Sequence, residues 1–376
     1  MNYYIIAGEA SGDLHGSNLI LALKEHDPSA SFRCWGGDLM QLAGGNLVKH
    51  YRDLAFMGFW EVLIHLKTIL SNLYLCEQDI LATKPDAVIL IDYPGFNLRI
   101  AKFAKKNGIR VFYYISPQLW AWKSSRVRII QKYVDRMFVI LPFEADFYRK
   151  YNYPVDFVGH PLLDVISPCT QTCDRDLFFK RNNLSEKPII ALLPGSRKQE
   201  IRTMLKRMIE MIPSFKEYQF VVAGAPAIDH ALYRSVIGEV PVAIVFQQTY
   251  DLLSHAEAAL VTSGTATLET ALVGTPEVVC YRGSRLSFWI ARRIVHVPYI
   301  SLVNLIMGRE VVKELIQHFF TSKNLRRELT RLLDPSTREM MQRDYNQLSQ
   351  KLGGHGASDR TASLMIQYLK DKSVNQ

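Results

Sequence analysis

The residues best suited to chemistry sit where short apolar runs end. Asp92 closes Ala87-Val88-Ile89-Leu90-Ile91 and precedes Tyr93-Pro94-Gly95-Phe96-Asn97. A carboxylate at the carboxyl edge of a buried strand faces the crevice of an α/β sheet, where it could take a proton from a hydroxyl nucleophile. A turn or helix-capping aspartate would have the same setting, and Pro94 and Gly95 already account for a turn. Leu193-Pro194-Gly195-Ser196-Arg197 ends a second run. There a glycine loop and the fork of donors on Arg197, at the head of a helix, suit a diphosphate; a solvated Arg is the plainer alternative. Thr262-Ser263-Gly264-Thr265-Ala266-Thr267-Leu268-Glu269 is the sharpest local signal. Small residues at Ser263, Gly264 and Thr265 let backbone approach a phosphate, and Glu269, about one turn into the helix, could accept the two hydroxyls of a ribose. An ordinary capped helix with a surface Glu fits the same letters. Ser11 and Gly12 open a helix after the first run, either as an anion-facing N-terminus or as a tight turn.

Aromatic and basic residues cluster in three further places. Ser116-Pro117-Gln118-Leu119-Trp120-Ala121-Trp122-Lys123 lies near Arg126 and Arg128. Such a rim could seat an apolar phosphorylated ligand or fill a core. Arg282, Arg285, Arg292, Arg293 and His296 mix with Phe288, Trp289, Ile290, Val295 and Tyr299, and Phe56 to Ile64 is apolar with aromatics. Both stretches suit contact with a membrane interface, or a core helix with a solvated charged face.

The elements that must carry these residues alternate. Tyr3 to Ala7, Ala87 to Ile91, Val111 to Ile115 and Arg136 to Leu141 read as buried parallel strands. Helical spacing follows at Leu14 to Lys24, Asn97 to Asn107 and Val127 to Tyr133, with Phe56 to Ala82 a long helical stretch and Pro142 opening another. After a polar break at Ser167 to Asp176 the rhythm restarts. Strands are expected at Ile189 to Leu193, Phe220 to Ala223, Val242 to Phe246, Ala258 to Val261 and Glu277 to Tyr281, the last clear one. Helices follow Arg197 as far as Ile212 and Thr265 as far as Val273, with a short one at Tyr250 to Ala256; the remainder reads as mostly helical. The expected fold is α/β: two facing Rossmann-like doubly wound domains, residues 1–168 and 169–342, with C-terminal helices over 343–376.

Length and composition agree. The chain has 376 residues, 48% of them hydrophobic, enough for two domains with real cores. Lys and Arg exceed Asp and Glu by 45 to 36, a net charge of +9 that favours anionic partners. No apolar run reaches the length of a membrane span, and the start lacks a basic, signal-like segment. Cys34, Cys76, Cys169, Cys173 and Cys280 read as reduced thiols, with the Cys169/Cys173 spacing a coincidence rather than a metal pair. Gly8, Gly12 and Gly16 do not make the dinucleotide fingerprint, and neither a Walker A loop nor a GxSxG elbow is present.

In order and combination, these motifs resemble the lipid-A-disaccharide synthase family over nearly the whole chain. The residues are Ala7-Gly8-Glu9-Ala10-Ser11-Gly12-Asp13, Ile91 to Asn97, Ser116 to Trp122, Leu141-Pro142-Phe143-Glu144, Leu193 to Arg197, Ser263-Gly264-Thr265 with Glu269, and Tyr299-Ile300-Ser301-Leu302-Val303-Asn304-Leu305. The resemblance implies a glycosyltransferase of the two-domain B-type fold. It would move 2,3-diacylglucosamine from its UDP conjugate to 2,3-diacylglucosamine 1-phosphate with inversion, releasing UDP. It implies Asp92 as base, Arg197, Ser263, Gly264, Thr265 and Glu269 on the UDP side, and Ser11, Gly12 and Asn304 at further cleft positions. It implies no cofactor and no essential metal. It implies peripheral contact with anionic lipid on the cytoplasmic face of a Gram-negative inner membrane; a homodimer is among the assemblies it allows. Gly95 stands where the family often carries a second Asp, which loads proton removal onto Asp92, and Val303 stands where a Pro is frequent. Rival readings are a cell-wall N-acetylglucosaminyltransferase, a UDP-sugar 2-epimerase and, from the charge alone, a nucleic-acid binder; no RNA-recognition or zinc-finger signature supports the last.

Overall fold

Among the described residues, thirteen parallel strands form two sheets. In the first, β1 (Asn2–Ala7), β2 (Ser31–Gly36), β3 (Asn46–His50), β4 (Ala87–Ile91), β5 (Arg110–Tyr114), β6 (Arg136–Val139) and β7 (Asp156–Phe157) lie in the order β3-β2-β1-β4-β5-β6-β7. In the second, β8 (Ile189–Leu193), β9 (Gln219–Gly224), β10 (Ala243–Phe246), β11 (Ala256–Thr262), β12 (Glu277–Tyr281) and β13 (Lys313–Ile316) lie in the order β10-β9-β8-β11-β12-β13. The computed structural model describes residues 1–53, 66–122, 124–171, 174–226, 228–284 and 297–371. The expected membrane-facing stretches around Phe56 to Ile64 and Arg285 to His296 fall outside these residues, as does Lys123. Among the described residues no helix is long and apolar enough to cross a membrane.

Central strands such as β4 and β8 are apolar throughout because helices cover both faces of a doubly wound sheet. Every residue of β4, Ala-Val-Ile-Leu-Ile, is buried, and so is every residue of β8, Ile-Ile-Ala-Leu-Leu. Polar groups inside the first core are chained together: Trp35 Nε1 donates to Tyr4 Oη at 2.7 Å, and Tyr4 donates to Asp79 at 2.7 Å. The chain falls into two compact units, Met1–Pro161 with Leu352–Gln376, and Leu162–Lys351. The positions 168 and 342, where sequence reading put boundaries, lie inside the helices Leu162–Gln171 and Pro335–Lys351. The polar stretch that read as a linker is partly helical, and the last helix, Ala357–Lys370, packs on Ala10–His26 within the first unit. There His26 Nε2 lies 2.7 Å from Asp359 Oδ1.

Both sheets wind outward in two directions from one central pair, β1/β4 in the first and β8/β11 in the second. Loops leaving the carboxyl ends of such a pair diverge to opposite faces and leave a crevice. Asp92 follows β4 and Ser263 follows β11, so each unit presents its most chemical motif at its own topological switch point.

Candidate active site

In the first unit the switch point is crowded and strained. Asp92 and Tyr93 both have left-handed backbone, with φ of 43° and 47°, and Ile115, just past β5, has φ of 64°. For non-glycine residues such conformations cost free energy and persist only where their surroundings over-determine them. Here they do. The Asp92 carbonyl accepts from Asn97 Nδ2 at 2.8 Å and from Tyr113 Oη at 2.5 Å, while the Asp92 amide donates to the Tyr114 carbonyl at 3.2 Å. Asn97 is buried in the helix Pro94–Lys106, which starts on Pro94 and so begins immediately after the strained pair. The main chain of Asp92 is thus clamped, and its carboxylate is left exposed at the carboxyl edge of the sheet. Crowding by the protein on its inner side pushes its pKa up to about 6; the negative charge of Glu9 pushes the same way, and the Tyr93 amide opposes both.

Glu9 was not singled out by sequence reasoning. It stands at the N-cap of the helix Ala10–His26, whose first turn carries Ser11, exposed, and Gly12, buried. The family's frequent second Asp is absent at Gly95, yet a second carboxylate reaches the field of Asp92 from the neighbouring strand's loop. Gly8 permits the arrangement: a Cβ there would lie 2.4 Å from the ring of Tyr93. Asp13, from the same glycine motif, has a structural task. It is buried and accepts from the amides of Gly37 at 2.7 Å, Leu39 at 3.1 Å and Met40 at 3.0 Å, capping the helix Asp38–Leu42.

In the second unit the switch point is open. A cavity of about 290 Å3 is lined by Gly195, Ser196 and Glu200 after β8, Gly224 to Pro226 after β9, and Thr262 to Ala266 with Glu269 after β11. The helix Thr265–Val273 aims its N-terminus at it, and Gly264 has nothing within 4 Å of where a Cβ would point. Backbone amides, a helix dipole and free space together make an anion seat. Glu269 stands half-buried in the wall and accepts from Tyr250 Oη at 2.9 Å; burial raises its pKa and that hydrogen bond lowers it. Ser263 donates from Oγ to the Ile300 carbonyl at 3.1 Å. Gly195 takes φ of 101°, and a side chain there would meet the Glu200 carboxylate at 2.8 Å. Sequence reading missed Glu200, which lines the cavity, and Tyr250, which holds Glu269; neither carries a motif of its own, and only the fold brings them there.

A family model described as lipid-A-disaccharide synthetase matches residues 3–367. The lipid-A-disaccharide synthase of Syntrophus aciditrophicus is 42% identical over 375 residues, covering 97% of this chain and 97% of its own. The synthase of Trichlorobacter lovleyi is 39% identical and covers 96% of each chain. The chain belongs to the lipid-A-disaccharide synthase family. It is therefore a glycosyltransferase, and its substrates are a UDP-sugar donor and an acceptor. Among solved structures, a putative UDP-N-acetylglucosamine 2-epimerase from Listeria monocytogenes matches with a TM-score of 0.69 at 12% identity, covering 99% of this chain and 98% of that one. The calicheamicin glycosyltransferase CalG4 matches with a TM-score of 0.60 at 17% identity, with the same coverage. At such identities the likeness is one of fold, and it carries the two-domain Rossmann-like architecture expected from the sequence.

Two synthase-family positions behave differently from the rest. Arg197 is outside the cavity lining; its side chain is 65% exposed, and its guanidinium is 3.5 Å from Glu200. Asn304, expected at a further cleft position, is completely buried, and its amide is spent on backbone groups and on Glu314. Its Oδ1 accepts from Val311 at 2.7 Å and Val312 at 3.0 Å, and its Nδ2 donates to the Val312 carbonyl at 2.9 Å and Glu314 at 3.0 Å. Glu314 in turn accepts from the amides of Ile300 and Ser301, each at 3.0 Å. Through Glu314, Asn304 braces the loop whose Ile300 carbonyl receives Ser263. The need to satisfy every buried polar group explains why an amide with two donors and an acceptor stands there.

Proposed function

We propose that this chain transfers 2,3-diacylglucosamine from its UDP conjugate to the 6-hydroxyl of 2,3-diacylglucosamine 1-phosphate in one inverting displacement, giving the β-1′,6-linked disaccharide 1-phosphate and UDP. Asp92 takes the hydroxyl proton. With a pKa near 6 it is ionised at neutral pH, yet basic enough to accept a proton in the transition state. The UDP side is the cavity at the second switch point. The Ser263 amide is spent on the Cys280 carbonyl at 3.0 Å, so the amides of Gly264 and Thr265, beside Ser263, meet the diphosphate and stabilise the charge that builds as UDP departs. Glu269 accepts the ribose hydroxyls. Arg197 reaches the diphosphate from outside the cavity, because a surface pair at 3.5 Å holds it only weakly. Ser11 and Gly12 contribute the helix N-terminus beside Asp92. Asn304 acts through the Ile300 loop. The observation that carries this reading is the open cavity with a helix N-terminus and an acidic wall, found at the position where doubly wound sheets bind nucleotides.

We further infer that the enzyme works at the cytoplasmic face of an inner membrane without spanning it, drawn to anionic lipid by its +9 charge. The deciding experiment is a coupled assay of UDP release and lipid product in detergent with EDTA, with and without the 1-phosphate acceptor. Acceptor-dependent UDP release together with a tetraacyl disaccharide is the expected result. UDP released without acceptor would indicate the epimerase reading instead, and no product from the folded protein would leave the motifs reporting a nucleotide-sugar fold alone.

A further inference from the structure

The first unit buries a carboxylate that the mechanism above does not use. Glu144, the third residue of the helix Pro142–Arg149, is 1% exposed. Its hydrogen bonds are to neutral donors: the amides of Leu141 at 3.0 Å and Ile140 at 3.3 Å on Oε2, the indole Nε1 of Trp120 at 3.3 Å on Oε1, and the Ser116 hydroxyl. Among the described residues no cation pairs with it, and burial pushes its pKa up to about 7, against those hydrogen bonds. Capping its own helix would justify the two backbone contacts. It would not justify reaching across to Trp120, which lies in a different loop and gives Glu144 a donor from outside its own helix.

That loop leaves β5, the neighbour of β4. Its first residue, Ile115, is the β-branched residue with φ of 64°. Ile115 is held by its amide, which donates to the Phe138 carbonyl at 3.1 Å. The next residue, Ser116, is buried, and its hydroxyl lies 2.8 Å from Tyr148 Oη on the helix of Glu144. Trp120 is half-buried and meets Phe143 edge-on, with ring centroids 4.9 Å apart. Three side chains of one short helix, Phe143, Glu144 and Tyr148, therefore grip both ends of the segment 116–120. The strain at Ile115 lies beside the strain at Asp92 and Tyr93, at the carboxyl ends of adjacent strands joined by the Asp92 amide and Tyr114 carbonyl. A β-branched residue in left-handed backbone is an outlier that structural economy alone does not select.

We propose that Glu144 is a positioning residue for the acceptor: through Trp120 and the Ser116 loop it sets the wall beside Asp92 against which the acceptor sugar is held. The inference rests on Asp92 marking the acceptor side. The carboxylate touches no substrate; it fixes the indole that does. The acyl and sugar faces of a lipid acceptor suit a tryptophan wall, whose ring offers apolar area while its N–H is already satisfied inside the protein.

The test is a double-mutant cycle on the full-length enzyme in detergent, using Glu144→Gln, Trp120→Phe and the pair, with donor and acceptor varied separately. Glu144→Gln keeps the volume but turns one acceptor oxygen into an NH2 group that faces donors. The acceptor kcat/KM falls on the order of ten- to hundredfold, the scale of a small misplacement in a site. The donor KM and UDP affinity stay unchanged, and the double variant is no worse than Glu144→Gln alone. The near-UV circular dichroism assigned to Trp120, by difference from Trp120→Phe, shifts in Glu144→Gln. If Glu144→Gln does not fold, Glu144→Asp, which keeps the charge at a shorter reach, gives the same pattern at smaller size. Additive losses, or lowered thermal stability with the acceptor kcat/KM intact, overturn the proposal. Asp92→Asn is measured alongside: full turnover there removes the acceptor-side reading, while the coupling of Glu144 to Trp120 is judged from the cycle alone.

Discussion

The two switch points share a strand order and little else. At β1/β4 the crevice is filled by protein: Tyr93 lies over Gly8, and Asp92 and Glu9 bring like charges together. At β8/β11 it is kept empty: Gly264 faces open space, and Ser263, Thr265 and Ala266 leave room beneath a helix N-terminus. Two glycines show the difference most simply. Gly8 makes way for a side chain of the protein itself, and Gly264 leaves open space at a helix N-terminus. Topology provides the place; the size and charge of the residues there decide whether it handles a proton or a phosphate.

The sharpest way to break this contrast is Asp92→Asn. It lowers kcat on the order of 10²–10⁴-fold, the range typical of a lost general base, and leaves UDP affinity unchanged. Retained turnover would end the assignment of a proton-handling half. The glycines come next. Gly8→Ala destabilises the fold by about 1–3 kcal/mol through collision with Tyr93, seen as a lower thermal midpoint. Gly264→Val leaves that midpoint near wild type and weakens UDP binding by calorimetry; the reverse assignment of effects would invert the comparison. Glu269→Ala weakens UDP by about tenfold, as expected for one hydrogen-bonded carboxylate, with less effect on the acceptor KM. The smallest effect concerns pH. Asp92 works ionised, so kcat/KM falls as pH drops through about 6, the raised value of its carboxyl. Glu9→Gln removes a negative neighbour, favours the ionised form of Asp92 and moves that acid limb to lower pH. A limb that stays in place would mean that the charge of Glu9 does not matter to Asp92.

How far the sequence was legible follows from what burial does to residue choice. Strands buried on both faces announce themselves, so Ala87 to Ile91, Ile189 to Leu193 and Glu277 to Tyr281 were read with their true bounds. Strands carrying exposed or polar positions do not. Ser31–Gly36 is interrupted by Arg33, the edge strand Asn46–His50 is at best half-buried, and Lys313–Ile316 hid in a remainder read as helical. The helix expected as far as Ile212 tightens to a 3-10 turn over Ile209–Ser214, which contains Pro213. Asp92, Ser263, Gly264 and Glu269 stand out in the sequence as candidates because they end apolar runs or sit in a small-residue cluster. Glu9 and Glu144 could not be weighed properly, since a carboxylate beside a turn looks the same whether it caps a helix or tunes a neighbour. Asn304 is ambiguous for a related reason: an amide in a motif gives no hint of whether its partners are substrate or protein.

The division of the chain has a consequence for how the enzyme is made. The first unit is written in two pieces, and the whole of Leu162–Lys351 is synthesised between them. At ~5–20 residues per second the ribosome spends roughly ten seconds or more on that insert. The nascent first unit waits through it with one flank of Ala10–His26 uncovered. Only when Ala357–Lys370 emerges can His26 meet Asp359 and the Arg360 guanidinium reach the Val158 carbonyl at 2.9 Å. The unit that carries Asp92 is therefore begun before Leu162–Lys351 and completed after it. Until its final helix arrives, the growing chain carries an open apolar seam that a chaperone, or another nascent chain, can find first.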